Sequence, residues 1–127
     1  MTYHQPHHRN KQAYQKAERA GKLAEILIYC RFALTGWWLV KWRYQTGFGE
    51  IDLIMRRGRV LRFIEVKYRR RLRADDSPVT QKQLVRLERA IRYAYAELCP
   101  LQDKICCFEV IIVTKTGRLY HFPHHFD

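Results

Sequence analysis

The chain carries only four cysteines in 127 residues, and none stands in a C-x-x-C pair or at zinc-finger distance from a histidine. Two of them, Cys106 and Cys107, are adjacent, which suits neither a disulfide framework nor a structural zinc site. Reduced thiols in a cytosolic protein are the expectation. Long apolar runs are also missing. Nothing approaches the roughly 20 residues a membrane helix needs, and the opening "MTYHQPHHRNKQ" lacks the apolar core of a signal peptide. The expected location is therefore cytoplasmic, with no membrane partner. Acid is scarce relative to base: 12 Asp and Glu stand against 24 Lys and Arg, a net charge of +12. A field of that sign favours a polyanion, nucleic acid before an anionic membrane surface.

What is present is enough for one globular domain. The length supports a real core without staples, and 47% hydrophobic with 28% charged residues is ordinary for a folded protein. Residues 1–12 read as a flexible His-rich tail and residues 13–127 as a single domain. His4, His7 and His8 at one end and His121, His124 and His125 at the other read as solvated tail histidines rather than a metal site. There is no internal repeat, and the only other biased piece is the arginine run at 69–73.

Composition favours a helix from Lys11 to Leu34, with Gly36 as a stop just beyond it. Leu23, Ile26, Leu27, Cys30, Ala33 and Leu34 make an apolar stripe at helical spacing. Ile28 and Phe32, with Tyr29 nearby, make a second one, and Glu25 falls among that second set. Three strand-like segments follow: "WWLVKWRY" (37–44), "GEIDLIMRR" (49–57) and "RVLRFIEVKYR" (59–69), the last two joined by a hairpin signal at Arg57-Gly58. Residues 70–79 read as a mobile loop. Thr80 and Gln83 form a capping box for a second helix. Its apolar face is Leu84, Leu87, Ile91, Tyr95 and Leu98, and Pro100 closes it; Lys82, Arg86, Arg89 and Tyr93 line the opposite face. "ICCFEVIIV" (105–113) and "RLYHF" (118–122) are the last strands. The order α-β-β-β-α-β-β implies an α/β fold with a mixed central sheet flanked by helices.

Charge inside the strands is the feature that asks for a function. Asp52 sits between Ile51 and Leu53, and Glu65 and Lys67 flank Val66. Charged groups are rarely buried in strands without a partner or a metal. Residues i and i+2 share a face, so Glu65 and Lys67 project together, with Arg69 next in line. Asp52 on the neighbouring hairpin strand can face Glu65. Two converging carboxylates repel, which calls for a cation between them, and Mg²⁺ suits oxygen ligands while keeping waters that bridge to phosphate. Such an ion activates water, and a lysine beside it orients that water and offsets charge growing on phosphorus oxygens. The simpler alternative is a Glu65–Lys67 ion pair on an exposed face with Asp52 paired to an arginine.

At these residues the sequence resembles a known group. A helix Glu, a strand Asp and a Glu-x-Lys on the next strand are similar to the PD-(D/E)XK nuclease superfamily, whose fold is restriction-endonuclease-like. Within it "GKLAE" (21–25), "GEIDLI" (49–54), "FIEVKYR" (63–69) and "CFEV" (107–110) resemble the YraN-like family, an uncharacterised group of predicted endonucleases. The resemblance runs from about residue 21 to 113, and the layout is also similar to Holliday-junction resolvases. It implies that Asp52 and Glu65 bind Mg²⁺ or Mn²⁺ together with the carbonyl of Val66, and that Glu25 supports a second metal or the water. Departures fall at Cys107-Phe108-Glu109-Val110, where the family has Arg-Phe-Asp-Val, at Lys41 in place of an Asn, and at Gln83, preceded by Lys82, in place of a Lys.

The expected function is thus metal-dependent hydrolysis of phosphodiester bonds, in DNA before RNA and in branched or single-stranded forms among others. Glu25, Asp52, Glu65 and Lys67 are the expected catalytic set, and Asp52, Glu65, Val66 and Glu25 the metal set. Arg69, Arg70, Arg71, Arg73, Lys82 and Arg86 are the expected nucleic-acid contacts. The rival reading is a module of the same fold that grips nucleic acid without cutting it. A homodimer is a further partnership the sequence permits.

Overall fold

The computed structural model describes residues 7–73 and 79–125. Its elements are α1 (His7–Ala33), β1 (Trp38–Thr46), β2 (Gly49–Arg57), β3 (Val60–Arg69), α2 (Gln81–Leu98), β4 (Ile105–Thr114) and β5 (Leu119–His124). The order is the one the sequence implies. The five strands form one sheet in the order β1-β2-β3-β4-β5. β1, β2 and β3 form an antiparallel meander, β4 lies parallel to β3, and β5 returns antiparallel to β4. A parallel neighbour requires a crossover connection, which α2 provides.

One helix covers each face. On one side Ile51, Ile54, Leu61, Phe63, Phe108 and Val110 pack with Leu87, Ala90, Ile91 and Ala94 of α2. On the other, Leu53, Met55, Ile64, Ile111 and Val113 pack with Ala24, Ile28 and Phe32 of α1, and with Trp37. The result is a helix–sheet–helix sandwich of the restriction-endonuclease-like type. α2 follows its pattern closely. Thr80 and Gln83 make the capping box in both directions, and the alanines at 90 and 94 let the helix backbone approach the sheet.

α1 does not follow its first pattern. Leu23, Ile26 and Leu34 are 66%, 44% and 86% exposed, and Cys30 is also exposed. The face against the sheet is the second set, Ile28 and Phe32 with Ala24. The longer stripe lost because the sheet was met by the side that also carries Glu25, whose hydrogen-bond partners lie on β1. The helix also begins at His7, inside the segment expected to be a tail; residues 1–6 lie outside the described residues, as do 74–78 of the expected loop.

The C-terminal histidines are not tail residues either. His121 and His124 belong to β5. The His121 Nδ1 lies 3.0 Å from Glu109 Oε2, and the His124 ring stacks on Phe108 at 5.5 Å between centroids. Glu109 is buried, and Arg62 Nε stands 3.3 Å from its other oxygen. The same guanidinium lies 4.5 Å over Trp37 and 5.0 Å over Phe32. The departure from the family pattern at Glu109 is thus accommodated by a polar cluster under the end of α1.

Candidate active site

The sheet is irregular at one level, and the site sits there. Ile51 packs on the α2 side while Leu53 packs on the α1 side, although residues two apart in a strand normally share a face. The β2–β3 ladder runs from Arg57–Val60 to Leu53–Ile64 and ends one step before Asp52 and Glu65. On β1, Arg43 lies between the pairs Trp42–Leu53 and Tyr44–Ile51, and has a left-handed φ of 51°. Both strands break their alternation together. The break lets Asp52 reach across, and its Oδ2 accepts a 2.8 Å hydrogen bond from the backbone N–H of Val66.

Glu65 and Lys67 share the α2 face of β3, as i and i+2 residues should. Lys67 Nζ stands 3.5 Å from Glu65 Oε1. Glu65 Oε2 is buried with no N–H or hydroxyl donor on it, and the Asp52 and Glu65 carboxyls are close enough to share a hydrogen bond. Burial raises the Asp52 carboxyl to about 8; the charge of Glu65 and then that of Glu25 push the same way against the Val66 N–H, which lowers it. Burial also raises Glu65, against the lowering pull of Lys67, Asp52 and Arg86. The alternative in which Asp52 pairs an arginine does not occur: among the described residues no salt bridge includes Asp52. The Glu65–Lys67 pair of that alternative is present, but it sits beside a second half-buried carboxyl.

Glu25 is close enough for its charge to be felt at Asp52, yet its own oxygen is engaged elsewhere. Oε2 accepts from Trp42 Nε1 at 2.9 Å and from Arg43 Nε at 3.1 Å. Among the described residues no three His, Cys, Asp or Glu side chains stand close enough to hold one ion. Glu25 is held toward β1 by its Oε2. Its donors explain why: a buried carboxylate is satisfied first by hydrogen bonds and an ion pair. Arg43 and Trp42 were missed from sequence, because a left-handed arginine in a strand leaves no local signature.

The basic residues divide. Arg69, Arg70, Arg71 and Arg73 line one cleft of about 610 Å³, joined by Lys115, which sequence reasoning did not single out. Arg69 lies two residues beyond Lys67, roughly 6.6 Å along β3. Arg86 reaches from α2 across Gly49: a Cβ added there would meet the arginine's Cδ at 3.4 Å. It also acts electrostatically on Glu65. Lys82 is exposed near the start of α2, with no contact of its own to the carboxylates.

Residues 24–113 match the model of the uncharacterised protein family UPF0102, a span that takes in the end of α1 from Ala24, β1 to β3 with the carboxylates, α2, and β4 as far as Val113. The chain belongs to this family. Among its UPF0102 relatives, the protein of Caulobacter sp. strain K31 is 35% identical over 112 residues, covering 87% of this chain and 81% of the relative. The UPF0102 protein of Parvibaculum lavamentivorans is 36% identical over 109 residues, covering 86% and 79%. That of Methylorubrum populi is 33% identical over 107 residues, covering 84% and 86%. The YraN-like resemblance read from the motifs is thereby borne out. The names say nothing of an activity.

Proposed function

We propose that this UPF0102 protein is a metal-dependent endonuclease that hydrolyses phosphodiester bonds in nucleic acid, DNA before RNA, at the Asp52–Glu65 pair. The observation that carries this reading is two carboxyls held side by side and largely out of water, one with the Lys67 ammonium 3.5 Å away and the other with no salt bridge among the described residues.

The donor set fits Mg²⁺ or Mn²⁺. Such ions take one or two carboxylates and complete their shell with water and substrate phosphate, and here Asp52, Glu65 and the Val66 carbonyl would hold one. When bound, the ion supplies Lewis-acid stabilisation of the phosphoryl oxygens and lowers the pKa of water. The other groups are the protein's own. The Val66 N–H fixes Asp52 in place, so its carboxylate is pre-aimed. Lys67 stands within ion-pair distance of Glu65, where its ammonium can orient the attacking water and face the charge that grows on the phosphorus oxygens. Arg86 offers a second positive charge at the same patch. Glu25, through Arg43 and Trp42, holds β1 against the site.

The test is a cleavage assay offering linear duplex, single-stranded, flap and four-way-junction DNA, and RNA, with Mg²⁺ and with Mn²⁺. Wild-type protein should cut at least one of these, and Asp52→Asn or Glu65→Gln should abolish the cleavage while leaving binding equal or tighter. Lys67→Ala should cut roughly 10²–10³-fold more slowly. Tight binding to several substrates with no cleavage by either metal would overturn the enzyme and leave the binding module.

A further inference from the structure

The turn after β4 closes the arginine cleft. The parallel register pairs Arg69 with Thr114, which brings the next residues, Arg70 and Lys115, side by side. The Lys115 N–H donates to the Arg70 carbonyl at 3.4 Å. The hairpin is held by Gly117 N–H to Thr114 O at 2.9 Å and Thr114 N–H to Arg118 O at 3.0 Å. Gly117 has φ +84°, which favours glycine. Among the described residues the cleft of about 610 Å³ is lined by Arg69, Arg70, Arg71, Arg73 and Lys115. Like charges brought side by side, as Arg70 and Lys115 are, repel, and an anion between them relieves that repulsion. Two separate segments of chain are thus locked together in an arrangement that favours a bound anion.

We infer that Lys115 and the arginine segment form a phosphate-binding subsite distinct from the Asp52–Glu65 position. Arg69 is four residues past Glu65, about 13 Å along the strand. An anion in the cleft is therefore not the phosphate at the carboxylates but another one of the same nucleic acid. Phosphates follow one another at roughly 3.4 Å of axis per strand in a duplex, so the cleft lies several nucleotides from the carboxylates. It sets which part of a strand is held while another part is presented. The phosphate is either an internal phosphodiester or a terminal monophosphate, and the chemistry is shared. This inference rests on the nucleic-acid reading for its substrate, but the cleft binds phosphate whether or not the carboxylates cut.

The experiment separates the two. Backbone amide shifts of the full chain are followed by NMR during titration with inorganic pyrophosphate in EDTA, for wild type, Lys115→Ala and a control, Lys22→Ala on α1. The expected result is saturable shifts at residues 69–71 and 114–117, unchanged in the control and weakened several-fold in Lys115→Ala. In parallel, Asp52→Asn protein with and without Lys115→Ala is titrated with single-stranded oligonucleotides bearing or lacking a 5′-phosphate. Lys115→Ala should lower affinity and reduce the salt slope by about 0.7. Loss confined to the 5′-phosphorylated strand assigns a terminal monophosphate, and equal loss on both assigns an internal one. Absence of shifts at these residues, or shifts equal in Lys115→Ala and wild type, would overturn the subsite. Pyrophosphate shifts without any oligonucleotide binding would keep the subsite and remove the nuclease.

Discussion

A carboxyl group walled by apolar residues and a second carboxyl keeps its proton at a pH where a solvated one has lost it. Asp52 and Glu65 are both raised in the folded protein, so between the ordinary carboxyl range and about 8 the folded state binds more protons than the unfolded chain. Stability from this source is fully present at low pH and is lost as pH rises through the raised values. In EDTA the urea midpoint should fall from pH 5 to pH 8, and Asp52→Asn should flatten that fall. The variant should exceed wild type at pH 8 by about 1–3 kcal/mol, the usual cost of a poorly satisfied buried polar group. A wild-type midpoint that rises over that interval would contradict the assignment. Metal binding should release protons, because the ligands must ionise first; calorimetry in buffers of differing ionisation enthalpy measures that directly. Gly49 is the other residue where local geometry decides. Its φ of +144° and the Arg86 side chain across it predict that Gly49→Ala lowers stability by about 1 kcal/mol or more. The same change shifts Arg86 away from Glu65, and a drop in cleavage beyond the stability loss would register it.

Elements obey packing more than pattern. α1 offers two apolar stripes, and the shorter one, through Ala24, Ile28 and Phe32, is buried. Hydrophobic count favours the stripe through Leu23, Ile26 and Leu34, but count is indifferent to Glu25, whose partners Trp42 and Arg43 stand on β1. Ile28 is fully buried and Leu23 is 66% exposed. Ile28→Ala should therefore cost about 2–5 kcal/mol, and Leu23→Ala should stay within roughly 0.5 kcal/mol of wild type. Thermal or urea unfolding of the two variants reads the difference, and the reverse ranking would refute the placement of α1. In α2 the two views agree. Its stripe through Leu84, Leu87 and Ile91, its capping box and its stop before Pro100 are all local features, and all appear in the structure. In β2 the agreement holds as far as Leu53 and stops where its ladder to β3 stops, whereas β3 keeps its alternation through Lys67.

The whole molecule is strongly positive, and part of that charge is gathered in one place. The end of β3, the segment after it and Lys115 just beyond β4 line one cleft, and β3 also carries Glu65 and Lys67. Binding to a polyanion through it should be strongly salt-dependent. Neutralising Arg70 and Arg71 together should weaken duplex binding and flatten the slope of log K against log salt by about 0.9 for each phosphate the protein no longer neutralises. An unchanged slope would mean that the segment is only solvated.

Local information was sufficient for the order of elements, the capped second helix, the hairpin and the shared face of Glu65 and Lys67, because each depends on neighbours within a few residues. It was also sufficient to single out Asp52 and Glu25 as misplaced charges, since a carboxyl in an apolar run is conspicuous wherever it ends up. Sequence did not reveal how those charges are satisfied. That Asp52 takes the Val66 N–H, that Glu25 is held by Trp42 and Arg43, and that Lys115 joins arginines more than 40 residues away all follow from strand register, a paired break in alternation and the parallel crossover. Those are agreements between distant segments, reached only when the sheet closes, and no stretch of the chain encodes them by itself.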